Sequence, residues 1–414
     1  MPSPRPTLTI AAAAAVIREA GFGVRPPGMG LELEWFVTRD GVAVTDIPTI
    51  RAAVSAGGSL PHGSRITFEP GGQIEISAPP SSNAASAIRG AERDAREVMV
   101  RLADAGMAAV AIGLDAGAPR PRVVDEPRYR AMDEYFSRDG SAGASMMRAT
   151  ASLQINLGFA ADPLAAAAQW ELAHDLAPIL GAVFAHSPLF DARPSGWQSS
   201  RLAVWLALDP ARTGPVATRD DASDDWTQYA LDAPVMLLRT GDECLVPDPV
   251  MTMRHWIEAG HHAGHPTVDD VAYHLTTLFP PIRPRGWLEL RMLDALPDPW
   301  WQVAAAMSIT ALTDSALVAE LTPIVQGCRE LRLTAAWWGV HDPDLGATAC
   351  RVVDTILPAL DAQDFDPSLV ADAHEFARRY VRRGRSLADD RLAAWHVSGA
   401  VAPAPEPVPT AHRR

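Results

Sequence analysis

The most constraining feature of this chain is a set of glutamates placed inside otherwise apolar, strand-like segments. In Gly30-Leu31-Glu32-Leu33-Glu34-Trp35-Phe36 the side chains of a β-strand alternate between faces. Glu32 and Glu34 therefore leave the same face, roughly 6–7 Å apart, while Leu31, Leu33 and Trp35 take the other. In Ile66-Thr67-Phe68-Glu69-Pro70-Gly71-Gly72-Gln73-Ile74-Glu75-Ile76-Ser77, Pro-Gly-Gly marks a turn; Gln73, Glu75 and Ser77 share a face, and Glu69 precedes the turn. In Gly286-Trp287-Leu288-Glu289-Leu290-Arg291, Glu289 and Arg291 share a face. Each segment alone reads equally well as a strand with one wet side. Taken together they aim Glu32, Glu34, Glu69, Glu75 and Glu289 from one sheet surface, where like charges repel unless cations lie between them. Carboxylates are what hard Mg²⁺ prefers, and a neighbouring Arg can grip phosphate oxygens, so the combination points to phosphoryl transfer. A fourth segment, Ser152-Leu153-Gln154-Ile155-Asn156, adds uncharged polar groups on alternate positions.

Composition narrows the chemistry further. The 414 residues carry a formal charge of -14, which disfavours nonspecific contact with nucleic acid or an anionic membrane. All 36 basic residues are Arg. There is thus no lysine for a Walker-type phosphate loop or a Schiff base, and any nucleotide would have to be held by Arg and metal ions. Cys244, Cys328 and Cys350 are widely spaced and fit a reducing, cytoplasmic setting. No apolar run reaches the length of a bilayer span.

The coarse pattern is α+β. Strands are expected at 30–38, 65–77, 107–114, 149–158 and 286–293, and helices at 8–20, 83–105, 163–185 and in several stretches from 300 onward. The absence of regular βαβ alternation favours an antiparallel sheet. Residues 1–399 read as one catalytic domain and the Pro/Ala-rich stretch 400–414 as a disordered tail. The His261-His262-Ala263-Gly264-His265 run reads as a polar loop, and Trp337-Trp338 as core or interface.

The string Phe-Glu-Pro-Gly-Gly-Gln-Ile-Glu-Ile-Ser at 68–77 closely resembles the most characteristic motif of the plant-type glutamate–cysteine ligases. So do 146–157, Phe184-Ala185-His186-Ser187-Pro188 with Arg201 and Arg212, and 274–291. The likeness runs from about residue 28 to 300, weakly to about 395, and is strongest to the actinobacterial branch serving ergothioneine synthesis.

The resemblance implies a glutamine synthetase-like fold: a curved, mostly antiparallel sheet with the site on its concave face and helices on the convex side. It implies ATP as co-substrate, two or three Mg²⁺ ions, and the substrates L-glutamate and L-cysteine. Carried over by motif, Glu32, Glu34, Glu69, Glu75 and Glu289 would be metal ligands, with Glu69 and Glu75 near the reacting groups. Arg291 would contact ATP phosphates, Gln154 and Asn156 would lie beside them, and Arg201 and Arg212 would meet substrate carboxylates or phosphate. The regulatory cysteine pair of plant members has no counterpart here. Two other readings stay open: a ligase of the same family with a different acceptor amine, and a non-catalytic regulator that binds amino acid or nucleotide.

Overall fold

The computed structural model describes residues 7–25, 28–117, 119–138, 140–219, 221–399 and 401. The tail expected at 400–414 lies, Val401 apart, outside the described residues.

The alternating segments become strands of one sheet. In chain order these are β1 (Met29–Arg39), β2 (Val42–Ala43), β3 (Arg65–Phe68), β4 (Ile74–Ser77), β5 (Ala108–Val110), β6 (Ser152–Leu157), β7 (Ile282–Pro284) and β8 (Leu288–Asp294). The sheet runs β7-β8-β6-β1-β4-β3, with β2 and β5 paired to the far end of β1. Every pairing is antiparallel, and the sheet is open. Directly opposed residues share a face, so the register fixes the site. Glu34 lies opposite Glu75, Glu32 opposite both Ser77 and Gln154, and Glu289 opposite Asn156.

The other face is apolar. Leu31, Leu33 and Trp35 join Ile74, Ile76, Leu153, Ile155, Leu288 and Leu290 in the main core. Helices Ala84–Asp104, Pro163–Val183 and Trp300–Thr313 cover this side. The second starts at Asp162, whose carboxylate accepts from Ala165 N–H, with Pro163 in the first turn. It is buried almost all round beyond Gln169, as its unrelieved Leu/Ala/Ile sequence requires.

Two local devices shape the polar face. A register shift in β8 between Leu290 and Leu293 places Asp294 opposite Ser152. Glu289 and Asp294, an odd and an even position, thereby face the same side. At the β3–β4 turn, Gly71 passes so close to Arg148 that a Cβ would fall 2.0 Å from its carbonyl oxygen. Only glycine fits this approach, and it brings Glu69 and Gln73 against the segment leading into β6.

Among the described residues no single helix is long and apolar enough to cross a membrane.

Candidate active site

A cavity of about 400 Å³ opens over the polar face of the sheet. Its walls include Glu32, Glu34, Glu69, Glu75, Gln154, Arg201, Glu289 and Arg291. Asn156 stands just behind, donating to Glu32 at 3.1 Å and accepting from Trp287 Nε1 at 2.8 Å.

One end of the cavity is anionic. Glu34 accepts hydrogen bonds from Ser152 N–H (2.9 Å), Ser152 Oγ (2.8 Å) and Gln154 Nε2 (3.0 Å). Glu75 accepts from Thr67 Oγ1 (2.7 Å) and Ser77 Oγ (3.0 Å). Neither has a cation at ion-pair distance among the described residues. Burial raises the pKa of all four carboxylates at this end. Glu32 is pushed up to about 7, with Glu289 and Glu75 adding to the rise. Burial also lifts Glu34, against the hydrogen bond from Ser152. Glu69 goes well above the carboxylate range through burial and then the charges of Glu75 and Glu34. Glu75 rises through burial and Glu34.

The other end is cationic. Glu289, fully buried, is gripped by both arms of Arg283, whose Nη2 lies 2.8 Å from Oε1 and whose Nε donates to Oε2. Arg285 Nη1 approaches at 3.1 Å and Arg291 Nη1 at 3.4 Å. Burial works the other way, yet Arg283 and Arg291 hold the Glu289 carboxyl far below its usual range. Arg291 also donates to Gln154 Oε1. Three guanidiniums around one carboxylate leave a surplus of positive charge, suited to phosphate oxygens.

Asp294 braces this end. It accepts from His186 N–H (2.8 Å), Ser187 Oγ (2.7 Å) and Ser199 Oγ (2.9 Å), and lies 3.9 Å from Arg201 Nη1. Arg201 in turn donates to the Arg291 carbonyl at 2.9 Å. The 184–201 motif therefore carries Arg201 into the cavity wall.

Among the described residues, no three His, Cys, Asp or Glu side chains converge closely enough to enclose a metal as they stand. The donor set nevertheless fits Mg²⁺: it consists of hard carboxylate oxygens whose shared charge is raised in energy by burial and by one another, and a divalent cation would relieve both. The fit is one of donor chemistry.

The chain belongs to glutamate–cysteine ligase family 2 (GCS2), whose profile it matches over residues 28–404. It is an enzyme of that ligase family. It is 38% identical over 358 residues to "Glutamate--cysteine ligase EgtA" of Mycolicibacterium smegmatis, covering 83% of this chain and 81% of the relative. The chloroplastic glutamate–cysteine ligase of Medicago truncatula is 32% identical over 251 residues, covering 58% of this chain but 48% of the plant protein. In fold, the chain is similar to a glutamate–cysteine ligase from Francisella tularensis solved with AMP (TM-score 0.58, 13% identity, covering 92% of this chain and 87% of that one). It is also similar to a bifunctional glutathione synthetase from Pasteurella multocida (TM-score 0.56, 15% identity, covering 94% of this chain and 51% of that one). The glutamine synthetase-like α+β architecture expected from the ligase motifs is the one observed.

One expected site residue belongs elsewhere. Arg212 is fully buried away from the cavity, where Nη1 donates to Thr277 Oγ1 at 2.9 Å and Nη2 to the Pro234 carbonyl. The Tyr135 ring stacks on it, with the guanidinium carbon 5.0 Å from the ring centre. These contacts hold loops of the ligase together, and the remaining donor, Nε, lies 3.9 Å from Asp209 Oδ2 and not in the cavity lining. Trp337 and Trp338 are about half exposed rather than core, and Trp337 packs on Trp197.

Sequence reasoning passed over Arg283, Arg285, Arg65, Arg128 and Tyr129, all of which line the cavity. A signal existed for the first: once 282–284 and 288–290 are paired as a hairpin, Arg283 falls opposite Glu289.

Proposed function

We propose that this chain catalyses ATP-dependent ligation of the γ-carboxylate of L-glutamate to the amine of L-cysteine. The products are γ-glutamylcysteine, ADP and phosphate. The observation that carries the reading is the division of one cavity into a carboxylate end and an arginine end on a single sheet face. The likeness to EgtA of Mycolicibacterium smegmatis supports the choice of substrates and a place in ergothioneine biosynthesis. A cytoplasmic location goes with it, since ATP and reduced cysteine are supplied there. Residues 1–399 act as one catalytic unit in this reading.

A carboxylate is a poor electrophile and must first be activated. A γ-carboxylate oxygen attacks the γ-phosphorus of ATP, and the bond to the β–γ bridging oxygen breaks. ADP leaves and γ-glutamyl phosphate remains. The cysteine nitrogen then attacks the acyl carbon, the carbon–oxygen bond to phosphate breaks, and the nitrogen loses a proton as phosphate departs; the phosphate itself can accept it. Arg291, Arg283 and Arg285 hold the phosphate oxygens and stabilise the charge that moves onto them. Glu32, Glu34, Glu69 and Glu75 would hold two or three Mg²⁺ ions, with Glu289 joining them once Arg283 turns toward nucleotide. Bound Mg²⁺ would neutralise the approach of one anion to another. Arg201, braced by Asp294, offers Nε and Nη1, neither of which has a hydrogen-bond partner among the described residues, to a substrate anion. Gln154 keeps Arg291 aligned.

The test is ADP release from ATP, Mg²⁺ and glutamate, with and without cysteine, together with mass detection of the dipeptide. Cysteine-dependent ADP and stoichiometric γ-glutamylcysteine support the reading. Product with a different amine would retain the mechanism and reject cysteine, and silence with every amine would reject catalysis.

A further inference from the structure

The cavity does not end at Glu69 and Glu75. A second chamber, of about 490 Å³, shares those two residues and Tyr129 with it. It wraps around β3, the last strand of the sheet, and is roofed by the helix Ile47–Ser55 and the segment 123–126. That segment is tied to the glycine turn by Val123 N–H donating to the Pro70 carbonyl at 2.7 Å.

The chamber has three chemically distinct walls. The shared wall, Glu69 and Glu75, is anionic and continues outward to Asp125 and Glu126. A second wall is apolar: Ile47, Ile66, Val123 and Val124. The third is one cation, Arg51, four residues from Ile47 and thus on the same side of its helix. Its guanidinium carbon lies 4.6 Å from the centre of the Phe68 ring, which fixes its direction. Among the described residues Arg51 makes no ion pair or hydrogen bond, unlike Arg122 and Arg130, which Asp125 engages.

An anionic wall, a directed cation and a small apolar wall are what a zwitterionic α-amino acid with a short, uncharged side chain requires. We propose that this chamber is the subsite of the acceptor amino acid, with Arg51 gripping its carboxylate and the amine pointing through the gap at Glu69 and Glu75. The inference rests on the ligase reading above. Position supports it: nucleotide phosphates belong at the arginine end, so the activated carboxyl lies over the middle of the sheet, and a nucleophile must arrive from the opposite end. Arg51 is therefore a specificity residue for the acceptor and has no part in forming the acyl phosphate.

The experiment uses the full chain with ATP, Mg²⁺ and glutamate, and compares three nucleophiles: cysteine, cysteamine (which lacks the carboxylate) and hydroxylamine, which traps the acyl phosphate as γ-glutamyl hydroxamate. Arg51→Gln should raise the KM for cysteine about tenfold, as expected for loss of one charge-assisted contact at a partly open site. Arg51→Glu should raise it about a hundredfold through repulsion. Both variants should leave cysteamine turnover, hydroxamate formation and the KM for glutamate at wild-type levels, and the unchanged hydroxamate rate also shows that they are folded. Equal losses with cysteine and cysteamine, or an unchanged cysteine KM, would overturn the subsite. Absence of hydroxamate and ADP from the wild-type chain is a different failure: it removes the ligase reading and the subsite with it.

Discussion

Glu75 and Glu289 leave the same face of the same sheet, in the same cavity, the first half-buried and the second fully buried, yet their protonation is driven in opposite directions. Glu75 faces Glu34 across a strand pair and is lifted by burial and by that neighbour. Glu289 faces Arg283 across a hairpin and is held down by it. The arginine end is electrostatically closed within the protein, because Arg283, Arg285 and Arg291 surround their carboxylate. The glutamate end is open: hydroxyls and amides meet Glu32, Glu34 and Glu75, but among the described residues none of the four carboxylates has a cation at ion-pair distance. A pair that satisfies itself serves as architecture until a more highly charged ligand competes for its arginines. A cluster that cannot satisfy itself is a standing demand for a cation.

The largest effects should come from the open end. Glu69→Gln keeps the shape and removes one charge from the cluster. Glutamate-dependent ADP formation should fall about 1,000-fold, the scale of losing one preorganised electrostatic group. The same variant without metal should melt no lower than the wild type, because the lost charge was a repulsive one. A substituted protein that keeps activity would show that Glu69 stands outside the reaction and would break the contrast at its anionic side.

The closed end should answer in stability. Arg283→Met strands Glu289 with fewer partners in a buried setting, which costs about 3–5 kcal/mol. Denaturant midpoints would register this, and Arg283→Met should therefore melt well below Glu69→Gln. If the two variants melt alike, Glu289 is not held chiefly by Arg283, and the two ends are less different than their geometry indicates.

Adding Mg²⁺ sharpens the comparison from the ligand side. An ion at about 100 times its dissociation constant stabilises the form that binds it by roughly 2.7 kcal/mol. The wild type should gain several degrees in melting temperature on moving from chelator to millimolar Mg²⁺, and Glu69→Gln or Glu75→Gln should gain less. A shift that persists in both variants would place the ion elsewhere.

The same contrast explains what the sequence made legible. Alternation in 30–36 and 73–77 exposes strand faces directly, and Pro70-Gly71-Gly72 announces the turn between them, so the anionic end was visible residue by residue. The arginine end depended on pairing. Arg283 matters because a hairpin sets it opposite Glu289, a relation that alternation within a single strand does not contain. Asp294 was hidden by the β8 register shift, which reverses the parity that alternation assumes. Arg212 shows the converse: its place in a family motif reflects the loops it joins, and motif membership does not say which way a side chain points. Arg51 was beyond reach, because a helix far from every motif brings it to the end of the sheet.

The smallest effect should come from an ion pair that lines neither the active-site cavity nor the adjoining chamber. His341 Nε2 lies 3.0 Å from Asp389 Oδ1, linking the turn at Gly339–His341 to the start of the helix Leu387–Ser398. The hydrogen bond to Asp389 raises the His341 pKa, against partial burial and the nearby charge of Arg385. Burial notwithstanding, the same bond lowers that of Asp389. For His341 the contribution is complete below its unfolded value of about 6.5 and fades as pH rises through the raised folded value. For Asp389 it is present above the unfolded carboxylate value and fades as pH falls through the depressed one. His341→Ala should therefore cost stability most at mildly acidic pH and least at alkaline pH. With the His341 side chain 36% exposed, solvent screening limits the loss to at most about 1 kcal/mol. Melting curves at several pH values would follow it, and glutamate-dependent ADP formation should not change. A loss of activity larger than the loss of stability would mean that this end of the chain reaches the cavity, because Gln198, 3.4 Å from His341 Nδ1, adjoins Ser199, which is bonded to Asp294.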